Sequence, residues 1–384
     1  MKKYKKWYMK ILSFTIISLL IIATINYVVD PYNIYKTPTF KGFNENKIET
    51  KEYLMKAREI AIYKPDTIFL GSSRTRVGLD PDYYKKITGE TAYNAGLSSS
   101  NIYIQLKYLE YALQNNNSLK RVILGIDFEV FNINLNNSPY YDENRLKHSI
   151  FVKNDLLDTL FTINALGDTI KVIKDNLFNQ SFYIQNNYYN NGSHNENIIL
   201  ANSKRSLLLG KNNFYDHLKG QINSNSISSN YQLSKERLDD LKKVIKLCKE
   251  HDIELIVFIH PIHAIQLEAF EIAGIWDEFE HWKKEVIKMT PLWDFSGFNT
   301  LTATSPYNFN YYIDQSHYRK RIGNLILDRV LGDSSSRNTS GDFGIFLKTE
   351  NINGHLLEIR KNKVKWEEDN PEIVTKIKRL FIEK

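Results

Sequence analysis

The sequence predicts an α/β protein: a mainly parallel sheet with helices on both faces, set behind one N-terminal membrane-spanning helix. Three observations carry this. Short apolar runs of β propensity, at residues 67–70, 121–128 and 253–259, alternate with stretches of helical periodicity. The first of these runs ends in Gly71-Ser72-Ser73 and the last in His260-Pro261, as strands that feed turns do. Residues 11–29 carry no charge at all.

Size and composition bound the rest. A chain of 384 residues allows one large or two modest domains, by the usual roughly 100–200 residues per domain. Hydrophobic content of 42% and aromatic content of 13% belong to a folded chain. The net charge is +7, from 51 Lys+Arg against 44 Asp+Glu, but Lys2, Lys3, Lys5, Lys6 and Lys10 supply five of the positive charges. The body is therefore nearly neutral, which argues against nucleic acid as a partner. Cys248 stands alone, so an intrachain disulfide and a cysteine metal cluster are both excluded. Its helical context reads as a small buried apolar residue.

Residues 1–10 form a basic tail and 11–29 the span. Nineteen residues at about 1.5 Å each give roughly 28 Å, close to the thickness of a bilayer core. Trp7, Tyr8 and Tyr27 sit where interfacial aromatics belong. The positive-inside rule places the N-terminus in the cytoplasm and the body outside the cell membrane, as a single-pass protein. A cleaved signal peptide is the competing reading; the stretch is long for one, and no clear small-x-small site follows.

After an arm at 30–51, residues 52–63 predict a helix leading into the strand at 67–70. Residues 90–96 read as a short strand into the loop Leu97-Ser98-Ser99-Ser100-Asn101. In 102–114, Ile102, Leu106, Leu109 and Leu113 share a helical face. From about 134 to 230 the pattern gives way to asparagine, serine and tyrosine, an insertion with helical pieces such as 156–172. Ser234 is a good N-cap for a helix whose apolar face is Leu238, Leu241, Ile245 and Cys248. Residues 266–289 read as one helical stretch, 292–295 as a strand and 318–331 as a last helix. The body spans 30–331. Residues 332–384 begin with a polar linker and form a C-terminal extension of short strands and a helix, with no functional reading.

Two stretches carry chemistry. Ser73, just past a strand end, can present its hydroxyl to a crevice. Far downstream, Asp314-Gln315-Ser316-His317 offers an imidazole base and a carboxylate three residues away to orient it. Each has a plainer reading: Gly-Ser-Ser is a common turn, and Asp314 could cap the helix that follows. His260 and His263 read as loop residues near the crevice, not as catalytic groups. There is no phosphate loop with a lysine and no His/Cys cluster at metal-ligand spacing, so no cofactor is expected.

In order and spacing these segments resemble the SGNH (GDSL-type) hydrolases. Gly71-Ser72-Ser73 is similar to their first block, Asn94-Ala95-Gly96-Leu97-Ser98-Ser99 to the second, Gly125-Ile126-Asp127 to the third and Asp314-Gln315-Ser316-His317 to the fifth. The resemblance covers residues 63–331 apart from the insertion. With its membrane anchor, the chain looks most like the DltD-like D-alanylation proteins of lipoteichoic acid and the alginate-type O-acetylation proteins.

The resemblance implies a three-layer α/β/α domain, a catalytic Ser73, Asp314 and His317, and an oxyanion hole from the backbone N–H groups of Ser73 and Ser99. Ser99 stands where the family has glycine, and Asp127 where it has an asparagine donor. An ionised aspartate cannot donate, and losing one oxyanion donor can cost about 10²–10³ in rate. The implied function is a serine acyl-esterase or O-acyltransferase acting on a cell-envelope glycan or teichoic-acid-like polymer, beside a membrane-bound O-acyltransferase. A catalytically silent binding or scaffold protein is the alternative.

Overall fold

The structure, a computed structural model, describes residues 2–48, 50–147, 153–178, 188–332 and 341–383. It divides into two compact units, Met1–Ile62 with Asp142–Asn187, and Tyr63–Tyr141 with Tyr188–Lys384.

The first unit is built on the helix Lys2–Val29. Its segment Tyr4–Val29 is long and apolar enough to cross a membrane, with a mean hydropathy of 2.2. Most of that segment is exposed, but in its last turns one face, Ala23, Asn26 and Val29, is buried. Asn26 is fully buried, donating from Nδ2 to the Leu160 carbonyl at 2.8 Å and accepting from Thr169 Oγ1 at 2.7 Å. Val29 and Val172 form a small apolar cluster beside them. The partners lie on Lys153–Leu160 and Ile163–Phe178, two helices where the sequence pattern reads as one. Thr162 makes the break, its hydroxyl accepting from Ala165 N at 3.1 Å, as N-cap residues do.

The second unit holds a six-stranded sheet of β1 (Thr67–Leu70), β2 (Ala92–Asn94), β3 (Arg121–Ile126), β4 (Glu254–Ile259), β5 (Leu292–Asp294) and β6 (Ile345–Leu347), in the order β2-β1-β3-β4-β5-β6. The first five strands are parallel and β6 is antiparallel to β5. All of β1 is buried; after Thr67, whose hydroxyl bonds the Tyr84 hydroxyl at 2.9 Å, it is apolar without alternation, as in parallel sheets. The fold class expected from the sequence, α/β with a mainly parallel sheet, is observed.

The order of strands matters more than their number. From β1 the chain goes first to β2 on one side, then returns to β3 on the other. Such a reversal leaves a crevice beyond the carboxyl ends of β1 and β3, the strands on either side of it. Ser73 follows β1 and Asp127 follows β3.

Helices form over Glu52–Tyr63, Ile102–Asn115 and Lys235–Glu250, close to their expected bounds. Ser234 caps the last, its Oγ accepting from Arg237 N at 3.3 Å. The stretch 266–289 is two helices, Ala264–Ile272 and Trp276–Ile287, because Gly274 takes φ +72° and turns the chain. Cys248 is buried, as its context suggests. The insertion is divided: its described residues 142–147 and 153–178 belong to the unit of the N-terminal helix, while residues 134–141, Glu196–Leu208 and Asn213–Asn223 belong to the sheet unit. The linker residues 333–340 lie outside the described residues. Beyond them the extension supplies β6 and two helices, Ile352–Asp369 and Pro371–Ile382. His355 on the first of these donates to the buried Asp294 at the end of β5, Nε2 to Oδ2 at 2.9 Å.

Candidate active site

Ser73 opens the short helix Ser73–Gly78, capped by Ser72, whose hydroxyl accepts from Arg74 N at 3.2 Å. Being in the first turn, Ser73 has a backbone N–H with no intrahelical acceptor. The turn before it requires glycine. Gly71 has φ +152°, and a Cβ there would lie 2.1 Å from Thr75 Oγ1 and 2.9 Å from the Gly125 carbonyl. Two contacts hold the loop of Ser99 to this turn: Leu97 N and Ser100 Oγ donate to the Gly71 carbonyl at 3.1 and 3.0 Å. Asn94, fully buried, secures the far end of the nucleophile helix. Its Nδ2 donates to the carbonyls of Thr75 and Leu79, both at 2.8 Å.

The second half of the site comes from residues 311–319. Tyr312 and Tyr318 form an antiparallel bridge, and Ile313 N donates to the His317 carbonyl at 2.9 Å, closing a tight loop. Within it, Asp314 Oδ1 accepts from the backbone N–H groups of Ser316 and His317, each at 2.8 Å. Asp314 therefore caps its own loop. It does not cap the following helix, which starts at Lys320 behind Arg319.

These two halves meet. His317 Nδ1 donates to Asp314 Oδ2 at 2.8 Å, and His317 Nε2 lies 2.8 Å from Ser73 Oγ. The carboxylate on Nδ1 fixes that nitrogen as the protonated one, so Nε2 is the acceptor for the serine hydroxyl. Burial alone would raise the pKa of Asp314. The adjacent imidazole and its hydrogen bonds outweigh that and hold the carboxyl well below the usual range. Ser73 and His317 are half-buried, open enough to be reached.

Asp127 has a different environment from an oxyanion donor. It is buried, and it pairs through Oδ1 with Arg74 Nη1. Burial works against its charge, but the Arg74 guanidinium overrides this and holds its pKa down. An ionised carboxylate in that pairing accepts and does not donate, so the donor expected of the third block is absent at Asp127. Ser99 is exposed in the left-handed region at φ +54°, a conformation that glycine adopts freely.

Arg74 is a residue the sequence reading passed over. Besides Asp127 it reaches Glu129, Nη2 to Oε1 at 2.9 Å, and its Nε donates to the Ser316 carbonyl at 3.2 Å. One side chain thus ties the nucleophile helix, the segment after β3 and the base loop together. That segment is also set in aromatic packing: Phe128 stacks on Tyr231 at 4.0 Å between centroids and meets Phe270 and Phe279 edge-on, each at 5.3 Å.

His260 and His263 are structural, in line with the sequence reading. His260 lies beneath the nucleophile helix, Nδ1 2.9 Å from Tyr318 Oη and Nε2 3.2 Å from Thr75 Oγ1. His263 caps Ala264–Ile272, its Nδ1 accepting from Ile265 N at 3.2 Å and its Nε2 donating to the Thr304 carbonyl at 2.7 Å. Burial lowers both to about 4, leaving them neutral.

A second residue missed in the sequence is His217, on the insertion helix Asn213–Asn223. Its ring centroid stands 5.6 Å from that of His317. It sits in a run with no catalytic motif, and only the fold brings it to the crevice. His217, Asp314 and His317 have ligand atoms within 4.8 Å of one another, a spacing a metal ion could use. Both Asp314 oxygens and both His317 nitrogens are already engaged in the relay with Ser73, however, so a metal there would dismantle it.

No protein-family model and no curated protein matches the sequence. Among solved structures, one from Streptococcus pneumonia, described provisionally as a platelet activating factor, is similar at 13% identity and a TM-score of 0.34, over 74% of this chain and 92% of that one. That likeness is too loose to bear on function.

Proposed function

We propose that this protein is a membrane-anchored, extracytoplasmic serine acyl-esterase or O-acyltransferase with an SGNH-like α/β/α body. The observation that carries the reading is the continuous relay Ser73–His317–Asp314, with 2.8 Å at each link, at the mouth of the β1/β3 crevice.

The chemistry follows from the protonation states. Ser73 Oγ attacks an ester carbonyl while His317 Nε2 takes its proton, and Asp314 stabilises the resulting imidazolium. The backbone N–H of Ser73 lies in the first turn of its helix, without an intrahelical acceptor, and would donate to the developing oxyanion. The proton then goes from His317 to the leaving alcohol, and an acyl group remains on Ser73. Water or a hydroxyl takes it in the second half-reaction.

The N-terminal span supports a substrate held near the membrane. A cell-envelope glycan or teichoic-acid-like polymer as acceptor, and a membrane-bound O-acyltransferase as donor-side partner, follow from the sequence resemblance alone. The rival is a silent binding protein of such a system, favoured by one observation: Asp127 is committed to Arg74 and supplies no oxyanion donor.

Intact mass of the full chain after fluorophosphonate treatment, beside Ser73→Ala, decides between them. One adduct on the parent and none on the variant is expected. A folded parent that takes no adduct returns the protein to the binding reading.

A further inference from the structure

The second imidazole at the crevice is held in one tautomer by a buried neighbour. Gln315 is fully buried between the base loop and the insertion helix. Its amide orientation is decided by two backbone groups whose roles are not in question: the Phe214 carbonyl, 3.1 Å from the amide nitrogen, and the Leu218 N–H, 3.3 Å from the amide oxygen. In that orientation the Gln315 oxygen accepts from His217 Nδ1 at 2.7 Å and lies 2.8 Å from the side-chain amide of Gln221, whose nitrogen is then the end turned toward it. The proton of His217 is therefore on Nδ1, and Nε2 carries the lone pair.

That lone pair has no protein donor among the described residues, and His217 is exposed beside His317. Burial of the ring lowers the pKa of His217 and outweighs the nearby Asp314 carboxylate, which raises it; His317 adds to the lowering, so the neutral acceptor is favoured. The partner on Nδ1 is an amide, which cannot stabilise an imidazolium as Asp314 does for His317. His217 is thus built to bind a hydroxyl and not to deprotonate one.

We propose that His217 is the acceptor-binding residue of this site: its Nε2 accepts from one hydroxyl of a sugar or polyol whose neighbouring hydroxyl takes the acyl group. The inference rests on the acyl-enzyme reading above. In the transfer step the attacking hydroxyl oxygen bonds the carbonyl carbon of the Ser73 ester and its proton passes to His317 Nε2. The bond from that carbon to Ser73 Oγ then breaks, and Oγ takes the proton back. The acyl group ends on the acceptor, Ser73 is regenerated, and His217 exchanges no proton. Two imidazoles 5.6 Å apart suit two hydroxyls on adjacent carbons, one deprotonated and one held.

The test uses the full-length protein in detergent, p-nitrophenyl acetate as donor, and two acceptors differing by one hydroxyl, 1,2-propanediol and 1-propanol. The quantity read is acetyl ester formed relative to free acetate, a ratio independent of how fast Ser73 is acylated. The parent should favour the diol by roughly 5–10-fold, the worth of about one hydrogen bond. His217→Ala should bring that preference to about unity, and His217→Gln, which keeps an acceptor, should retain part of it. Equal diol preference in the parent and His217→Ala overturns the inference, as does a parent that transfers without preferring the diol. A parent that releases no more acetate than Ser73→Ala removes the acyl-enzyme reading itself.

Discussion

Arg74 donates from Nε to the carbonyl of Ser316, 242 residues away, across the gap between the nucleophile helix and the base loop. The 2.8 Å approach of His317 to Ser73 depends on two segments with no continuity in the chain, and this contact is one of the bonds that joins them.

Replacing Arg74 with Met removes that bond and leaves Asp127 as a buried carboxylate without its cation, while the half-buried Glu129 keeps its Gln266 contact. Removing one partner of a buried pair usually costs about 3–5 kcal/mol. Urea unfolding of Arg74→Met should show a loss of that size, and the residual folded protein should label poorly with fluorophosphonate. Asp127→Asn keeps the Glu129 pairing, so its loss should be smaller.

Asp314→Asn places an amide against His317 and removes the charge that fixes the Nδ1–H tautomer. Turnover of a chromogenic ester should fall by roughly 10³–10⁴ at neutral pH, with KM little changed. An effect confined to KM would argue against the role given to Asp314.

Two buried neutral histidines make the protein acid-sensitive. His260 and His263 are lowered to about 4 in the folded state from an ordinary value near 6.5. The unfolded chain therefore binds protons first, and the stability present above about pH 6.5 is lost progressively as pH falls toward 4. Melting temperature should decline across that window. His263→Asn keeps an N-cap acceptor for Ile265 N and removes one titration, so its decline should be shallower.

Gly71→Ala tests the turn ahead of the nucleophile. Its methyl would enter the space of Thr75 Oγ1 and the Gly125 carbonyl at a φ that disfavours a side chain. A markedly lower melting temperature is expected, together with loss of fluorophosphonate labelling beyond what the residual folded fraction explains. Gly42→Ala, at φ +74° but with nothing within 4 Å of the added carbon, separates backbone strain from steric conflict.

Local pattern made much of this legible. Apolar runs marked the buried parallel strands, Ser234 marked a helix start, and the Asp314–His317 spacing marked a carboxylate and an imidazole that do meet. What escaped was set by distance along the chain. The partner of Asp127 is Arg74, 53 residues earlier, and nothing near either announces an ion pair. His217 lies in an asparagine-rich run and approaches His317 only because Asn213–Asn223 folds back on the sheet unit. The break at Gly274 was missed because helical periodicity continues on both sides of it.

Asn26 puts a constraint on the order of assembly. It is a polar side chain near the end of an apolar helix, and its partners Leu160 and Thr169 are 134 and 143 residues downstream. At ordinary synthesis rates they emerge roughly 10–30 s after the N-terminal helix. Through that interval β1, β2 and β3 are all made, while the Asn26 face of that helix waits without its partners. A protein shortened to begin at Asp30 never receives that face at all, and leaves Val172 and Thr169 uncovered on the helix meant to meet it. The N-terminal helix is thus a folding partner of the middle of the chain, whatever else its apolar length serves.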